Sequence, residues 1–279
     1  MEWLQVIVLA LVQGITEFLP VSSSAHLVLP AQLTSWPDQG LEFDVAVHFG
    51  TLIAVLAYFR KDLLSMLWAI GQAPAVYAAR SSEVPSNAET EQAAQGIVQL
   101  LKLGLATIPV VIIGFLGKDF IQDNLRTVPV IATTTMLFGA ALWYADRRPT
   151  TNTTITWQAA AIIGLAQSIA LIPGTSRSGI TITAALLLGL SRVEAAKFSF
   201  LLAIPTIAGA QLLLSLDLAA GNLDTDLAKV AAGAALAGVS AYLGIHYFMQ
   251  LVERTGMLPY VLYRLVLGLV LFGLVYSGI

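Results

Sequence analysis

The feature that most constrains this chain is a series of long apolar segments separated by short polar ones. One helix needs roughly 20 mostly apolar residues to cross a hydrocarbon core of about 30 Å. Six uninterrupted segments come close to that length, at residues 43–59, 97–117, 128–145, 196–216, 228–249 and 258–277. We therefore expect an all-α polytopic membrane protein with six transmembrane helices.

The composition agrees with a membrane protein and excludes several other classes. Hydrophobic residues make up 57% of the chain and charged residues 11%, whereas soluble domains carry roughly 25% charged residues. This excludes an ordinary soluble enzyme and a disordered chain. The absence of cysteine excludes a disulfide-stapled domain and a zinc–thiolate site. A net charge of −3, without a basic run, argues against nucleic acid as a partner.

Two further apolar regions are each interrupted near the middle by a polar cluster that contains proline. They are residues 3–33, interrupted at 19–24, and residues 157–191, interrupted at 172–179. Irregular backbone at membrane depth is tolerated only where it is buried in protein or lines a wet cavity. We therefore predict two re-entrant helical hairpins, arranged as an inverted repeat within a single integral membrane domain over residues 1–279.

The distribution of cations predicts the orientation of the chain. The side with more Lys and Arg faces the cytoplasm, and we assign to it Arg60, Lys61, Arg80, Arg147, Arg148, Arg192, Lys197 and Arg254. Only Lys118, Arg126 and Lys229 fall on the opposite side. Both termini then face out, and the hairpins enter from opposite faces. Residues 80–95 are predicted as a cytoplasmic loop, preceded by a short interfacial helix at 63–79.

The first hairpin carries ionisable groups that an apolar segment does not need for packing. Each such group costs about 2.5–3.5 kcal/mol or more in mid-bilayer, so it indicates a function. Gln13 and Glu17 are four residues apart and share one face of a helix. Ser22 and Ser23 can cap a second half-helix that carries His26. We expect these side chains to converge around one small volume.

The second hairpin supplies the complementary charge. Its cluster places Arg177 among glycine and hydroxyl residues at the start of a half-helix. A helix N-terminus offers free N–H groups to a phosphate, and the arginine can bind two phosphate oxygens at once. Together the hairpins predict a site for a phosphorylated headgroup and a divalent cation, Mg²⁺ or Ca²⁺, bound by Glu17 and the phosphates.

Some of these polar residues also have a structural interpretation. Ser/Thr/Gly clusters in membrane helices also mediate close helix packing. We expect His48 and His246 to be structural, and Glu42 and Asp44 to be interfacial caps with a possible part in the nearby site. Arg264, in the middle of an apolar span, is either a buried ion-pair partner or a headgroup anchor. Packing alone does not explain the charged side chains of the two hairpins.

Both hairpin clusters resemble motifs of one bacterial family. Residues 13–26, QGITEFLPVSSSAH, are similar to the (Glu/Gln)-x-x-x-Glu and Ser-Ser-x-x-His motifs of the undecaprenyl-diphosphate phosphatases of the bacitracin-resistance type. Residues 173–181, PGTSRSGIT, match that family's Pro-Gly-x-Ser-Arg-Ser-x-x-Thr motif at every fixed position. The chain departs from many members at Ser24-Ala25, where they have Thr-Gly, and in the loop 80–95.

The resemblance implies a membrane enzyme that hydrolyses undecaprenyl diphosphate to undecaprenyl phosphate and inorganic phosphate. This reaction recycles the lipid carrier of cell-wall peptidoglycan synthesis and gives bacitracin resistance. The family's paired re-entrant hairpins, frequent homodimer and site open to the outer face of the bacterial inner membrane become expectations here. A transporter or flippase of polyprenyl phosphate, which would use similar inverted hairpins, is the alternative.

The resemblance also assigns roles to individual residues. It implies catalytic roles for Glu17, His26, Ser23 and Arg177, with the cation held by Glu17 and supported by Gln13. Two routes stay open: attack by Ser23 with His26 as base, or attack by a water that the cation activates, with His26 or Glu17 taking its proton. The phosphates would be bound by Ser22, Ser24, Gly174, Thr175, Ser176, Ser178 and Thr181.

Overall fold

The computed structural model describes residues 1–23, 25–27, 30, 36–37, 39–81, 87–152, 154–219 and 226–277, and almost all are helical. The helices are α1 (Trp3–Phe18), α2 (Gly40–Tyr58), α3 (Arg60–Gly71), α4 (Ala73–Ser81), α5 (Ala88–Asn124), α6 (Val128–Asp146), α7 (Trp157–Ser168), α8 (Arg177–Leu187), α9 (Arg192–Ala219), α10 (Leu227–Thr255) and α11 (Leu258–Ser277). Within these ranges the strand geometry is limited to one isolated bridge. The predicted all-α class is confirmed.

Within the described residues, six helices are long and apolar enough to cross a membrane, as the sequence predicts. These spans are Gly40–Tyr58, Ala88–Gly117, Val128–Asp146, Arg192–Leu213, Leu227–Thr255 and Leu258–Tyr276. Their outward faces expose large apolar side chains, for example Leu116 at 78% and Leu269 at 61%. Such a surface is stable in contact with lipid. In water it would be unfavourable, because exposing apolar area to water costs free energy. The protein is therefore a multi-pass membrane protein.

Two segments before the second span differ from the sequence prediction. Residues 63–79, predicted as one interfacial helix, belong to the separate helices α3 and α4. The predicted loop 80–95 is shorter, because α5 begins inside it; residues 82–86 lie outside the described part of the chain. The Asn87 side chain explains the early start, since it accepts a hydrogen bond of 2.8 Å from the Thr90 amide and so caps the helix.

The two interrupted regions form short helices joined by turns. Helix α1 has 16 residues and α7 has 12, extended by a 3₁₀ turn at Ile169–Leu171. Both are shorter than a bilayer crossing requires, and both run into a proline-containing turn. The 11-residue helix α8 then follows the second turn. These lengths agree with re-entrant hairpins, whose entry from opposite faces stays a prediction.

The two halves of the chain make equivalent contacts with each other. Helix α1 packs on α10 and helix α7 packs on α5, so each first half-helix lies against a long helix of the other half. A Cβ added to Gly14 would lie 1.9 Å from Ser240 Oγ and 2.4 Å from the Ala237 carbonyl, while one on Gly164 would lie 2.5 Å from the Ala106 carbonyl. The backbones therefore approach closely through glycine. A pair of repeats related by a two-fold axis produces such an exchange.

Ion pairs join helix ends on the side predicted to be cytoplasmic. The Asp146 carboxylate accepts hydrogen bonds from Arg192 Nε at 2.6 Å and Nη2 at 3.0 Å, and from the Met257 amide at 3.0 Å. Lys197 Nζ lies 2.6 Å from Asp62 Oδ1. The contacts of Asp146 fix the end of α6 and the starts of α9 and α11 at one level.

Candidate active site

The turn of the first hairpin concentrates hydrogen bonds on one carboxylate. Helix α1 ends at Phe18, just before Pro20, because proline cannot continue the helical hydrogen-bond ladder. Gln13 and Glu17 are both buried on its inner face. Gln13 Nε2 donates to Glu17 Oε2 at 2.8 Å, and Ser23 Oγ donates to the same oxygen at 2.9 Å. The carboxylate is thereby held in one orientation.

The turn of the second hairpin begins a helix directly at the predicted arginine. Gly174 has a φ of +87°, and a Cβ there would lie 2.2 Å from Thr134 Oγ1, so only glycine fits. Ser176 is the N-cap of α8 with a φ of +70°, and its Oγ accepts a hydrogen bond from the Gly179 amide at 3.1 Å. Arg177 is therefore the first helical residue, beside the positive end of the helix.

The two turns meet through their charged side chains. Arg177 Nη2 donates to Glu17 Oε1 at 3.0 Å across a sequence separation of 160 residues. The side chains are 13% and 8% exposed. The same guanidinium donates from Nη1 to the Ser199 carbonyl at 3.2 Å and lies over the Phe18 ring. A pair this deeply buried stabilises both charges, since removing one leaves the other uncompensated.

Two of the hydroxyls predicted to bind phosphate already have partners in the protein, and a third has none in the part of the chain that the structure describes. Ser178 Oγ donates to the Leu19 carbonyl at 2.9 Å and so joins the second turn to the first. Thr181 Oγ1 lies 2.7 Å from Ser199 Oγ. Thr175 Oγ1 is buried without a hydrogen-bond partner. An orphaned hydroxyl of this kind is what a bound anion would satisfy.

The remaining predicted serines lie on both turns. Ser22 is buried, and its φ of +74° shows that the chain turns sharply after α1. Ser176 Oγ lies 3.3 Å from Ser178 Oγ at the start of α8. Ser24 lies outside the described residues. The described members of the predicted phosphate site therefore cluster at the two turns.

Both ring nitrogens of His26 have partners other than Ser23, the serine that it was predicted to activate. Its Nδ1 lies 2.7 Å from the Ser22 carbonyl, and its Nε2 contacts the Tyr263 hydroxyl, whose ring stacks on the imidazole at 5.5 Å. Ser23 instead donates to Glu17. In this geometry the carboxylate, not the imidazole, is positioned to accept the serine proton.

Arg264 holds the two turns together. It is completely buried, and its guanidinium donates to the carbonyls of Pro20 at 3.2 Å, Gly174 at 3.0 Å and Thr175 at 2.9 Å, and to the Thr135 carbonyl at 3.0 Å. Both interpretations offered by the sequence, an ion-pair partner and a headgroup anchor, are therefore wrong. The partners are carbonyl oxygens, which any residue type provides, so no pattern in the sequence identifies them.

A second histidine reaches the site from α2. His48 Nε2 lies 3.8 Å from Glu17 Oε2, and its Nδ1 lies 2.7 Å from the Asp44 carbonyl. The expectation that His48 is merely structural overlooked this contact, because the residue lies in an uninterrupted apolar span. His246, by contrast, packs beside the Tyr58 ring, as a structural residue would.

The oxygen atoms around Glu17 fit a divalent cation that brings further ligands with it. Gln13 Oε1 is buried without a hydrogen-bond partner, although the amide nitrogen bonded to the same carbon is bound to Glu17. Carboxylate and amide oxygens are the ligands that Mg²⁺ and Ca²⁺ prefer. The part of the chain that the structure describes contains no group of three His, Asp or Glu side chains suited to a metal ion. Phosphate oxygens would therefore have to complete the coordination.

A largely apolar cavity of about 1000 Å³ opens between α2, α9 and α10. Its lining includes Phe49, Leu52, Leu212 and Val230. Leu52 lies one helical turn after His48, so the cavity and the site share helix α2, although the lining includes none of the side chains that contact Glu17. A polar site and an apolar cavity on one helix suit a ligand with a charged head and a hydrocarbon chain.

Comparisons with known proteins agree with this geometry. The family model described as bacitracin resistance protein BacA matches residues 6–270. An undecaprenyl-diphosphatase of Alcanivorax borkumensis is 52% identical over 274 residues, which cover 97% of this chain and 98% of that protein. Both matches extend across the two hairpin turns and the helices that join them. The chain therefore belongs to the BacA bacitracin resistance family.

Proposed function

We propose that this protein is an undecaprenyl-diphosphate phosphatase of the bacterial inner membrane. It hydrolyses undecaprenyl diphosphate to undecaprenyl phosphate and inorganic phosphate, which recycles the lipid carrier for cell-wall synthesis and gives bacitracin resistance. The observation that carries this proposal is the buried contact of 3.0 Å between Arg177 and Glu17 at the N-terminus of α8. The name of the Alcanivorax relative supports the same substrate.

The diphosphate binds between the two turns. The N-terminal amides of α8 and the Arg177 guanidinium provide donors for phosphate oxygens. When the substrate binds, Arg177 transfers hydrogen bonds from Glu17 to the phosphates, and the orphaned Thr175 hydroxyl gains a partner. This exchange favours an anionic ligand, because the phosphates that replace the Glu17 carboxylate beside Arg177 carry more negative charge.

The chemistry follows from the hydrogen bond between Ser23 and Glu17. Ser23 Oγ attacks the terminal phosphorus, Glu17 takes the serine proton, and the bond from that phosphorus to the bridging oxygen breaks. Undecaprenyl phosphate leaves, and water then hydrolyses the phosphoserine. Arg177 and the amides of α8 stabilise the charge on the transferred group, which is the main requirement of phosphoryl transfer.

The divalent cation remains part of this proposal. Glu17 and Gln13 would hold it, and when bound it would neutralise charge on the phosphates. The Gln13 amide supports the assignment because its Oε1 is buried and unpaired beside the carboxylate. In the reaction itself, Gln13 keeps Glu17 oriented toward Ser23.

The lipid part of the substrate follows from the neighbouring cavity. Phe49, Leu52 and Val230 line an apolar space on the helix that carries His48, and this space can accommodate the first part of the prenyl chain while the rest stays in lipid. A soluble diphosphate would gain nothing from such a wall. A site open to the outer face of the membrane and a homodimer both stay predictions from the family.

A phosphate-release assay tests the proposal. Purified protein in detergent is expected to release inorganic phosphate from undecaprenyl diphosphate, and EDTA should reduce the rate. Glu17→Gln and Arg177→Lys should each lower the rate about a hundredfold or more, since the carboxylate and the bidentate guanidinium are not replaced. The exposed residues Glu253 and Arg147 provide matched controls, Glu253→Gln and Arg147→Lys, which should retain the wild-type rate.

The same assay separates the enzyme from a flippase and tests the nucleophile. A flippase needs two compartments, so phosphate release in micelles excludes transport as the sole activity. Acid quenching during turnover should trap phosphate on Ser23, and Ser23→Ala should be inactive. A fully active Ser23→Ala protein would leave the water route as the remaining one.

A further inference from the structure

The geometry of His48 indicates a bond that the phosphatase proposal does not yet include. The Asp44 carbonyl lies 2.7 Å from His48 Nδ1, and because a carbonyl only accepts, Nδ1 carries the hydrogen. In the neutral ring Nε2 then presents a lone pair. That lone pair lies 3.8 Å from Glu17 Oε2, which is too long for a hydrogen bond. Two electron-rich atoms face each other, and a cation between them would stabilise both.

We propose that His48 is a protein ligand of the divalent cation, together with Glu17 and Gln13; this inference rests on the proposed function. Ligands bound at about 2.1 Å are about 3.0 Å apart when adjacent and about 4.2 Å apart when opposite. The separation of 3.8 Å lies within this range. A backbone carbonyl on the other ring nitrogen is also the usual support of a metal-binding histidine.

Gln13 provides an independent observation for the same ion. Its Oε1 is completely buried and has no hydrogen-bond partner, although its Nε2 is bound to the oxygen of Glu17 that His48 faces. An orphaned acceptor at this depth costs free energy unless a ligand satisfies it. The imidazole of His48 and the amide of Gln13 therefore both lie against the same oxygen of Glu17.

An imidazole ligand changes which cation the site prefers. Oxygen ligands alone suit Mg²⁺ and Ca²⁺, whereas imidazole suits transition metals, and Mn²⁺ accepts both kinds of ligand. The expectation of Mg²⁺ or Ca²⁺ followed from oxygen ligands, without His48. With this histidine included, the site binds Mn²⁺ more tightly than Mg²⁺ or Ca²⁺.

The test is electron spin-echo spectroscopy of the full-length protein loaded with Mn²⁺ in detergent. The wild type is expected to show the ¹⁴N modulation of one directly bound imidazole, and His48→Gln to lose it. The same substitution should raise the Kd for Mn²⁺ tenfold or more, measured by titration calorimetry. The Kd for Mg²⁺ should change less than threefold, because Mg²⁺ depends on oxygen ligands.

Two control variants identify the nitrogen. His246→Gln and His26→Gln should both retain the modulation, because His246 packs among aromatic rings and both nitrogens of His26 face protein oxygens. Bound Mn²⁺ without nitrogen coupling, coupling that survives in His48→Gln, or no Mn²⁺ binding at all would each overturn the inference. Phosphate release by the same preparation keeps this outcome separate from the proposed function, which does not require His48.

Discussion

At the scale of single residues, a few buried polar side chains define the site. Glu17 receives hydrogen bonds from Gln13, Ser23 and Arg177, so its position is fixed before any substrate binds. Arg264 gives the two turns a common set of donors. Groups that are already oriented need little reorganisation during a reaction, and this favours phosphoryl transfer.

Arg264→Met should destabilise the protein more than the same substitution of a surface arginine. The substitution leaves several buried carbonyls without donors, and each costs about 1–3 kcal/mol. We expect a total loss of at least about 3 kcal/mol, from the Pro20, Gly174 and Thr175 carbonyls of the turns, and a fall in the thermal unfolding midpoint of at least about 6 °C in detergent. The exposed Arg126 provides the control Arg126→Met, with little change. An Arg264→Met protein with an unchanged midpoint would contradict the structural role.

The sequence predicted the charged pair of the site because charges in apolar segments are expensive and therefore informative. Glu17 and Arg177 stand out for this reason alone. The contact of His48 with Glu17 and the partners of Arg264 were not predictable, since these partners lie far away in the sequence or are carbonyl oxygens that carry no residue signature. The partner of Ser23 was also not predictable, because Glu17 lies six residues before it across the turn and His26 lies three residues after it, so both are near in the sequence.

At the scale of elements, the position of each turn depends on how closely its helix approaches a neighbour. The six spans and the two interruptions were predictable from apolar length and proline. The packing of α1 and α7 against helices of the opposite half was not predictable, because it depends on contacts of Gly14 and Gly164 with helices that are distant in the sequence. Glycine in a helix signals close packing without naming the partner.

Gly14→Ala tests the packing of α1 on α10. The new methyl group would lie 1.9 Å from Ser240 Oγ and 2.4 Å from the Ala237 carbonyl, so α1 must shift and carry Glu17 with it. We expect a cost of about 1–3 kcal/mol from overpacking and a clear loss of phosphate release. Gly104→Ala, where the added Cβ meets nothing within 4 Å, is the control and should be neutral. Equal behaviour of the two variants would refute this packing argument.

At the scale of the whole molecule, an apolar surface and an asymmetric charge distribution place the chain in a membrane. The spans follow directly from the sequence. The early start of α5 inside the predicted loop 80–95 depends instead on the local cap at Asn87. The pairs Arg192–Asp146 and Lys197–Asp62 join elements on the side that carries most cations.

The absence of cysteine allows this orientation to be tested with single introduced thiols. Arg126→Cys, between α5 and α6, should react with an impermeant maleimide in intact cells. Arg148→Cys, after α6, should react only after the membrane is permeabilised, because cations accumulate on the cytoplasmic side. The reverse pattern would contradict the predicted orientation of the chain.

The most direct test of the central claim is a double-mutant cycle on kcat/KM for undecaprenyl diphosphate, with Glu17→Gln, Arg177→Lys and the double variant. Groups that act as one unit give losses that do not multiply. We therefore predict that the double variant is about as slow as the slower single variant. Losses that multiply would contradict the account, since they would mean that the carboxylate and the guanidinium contribute independently.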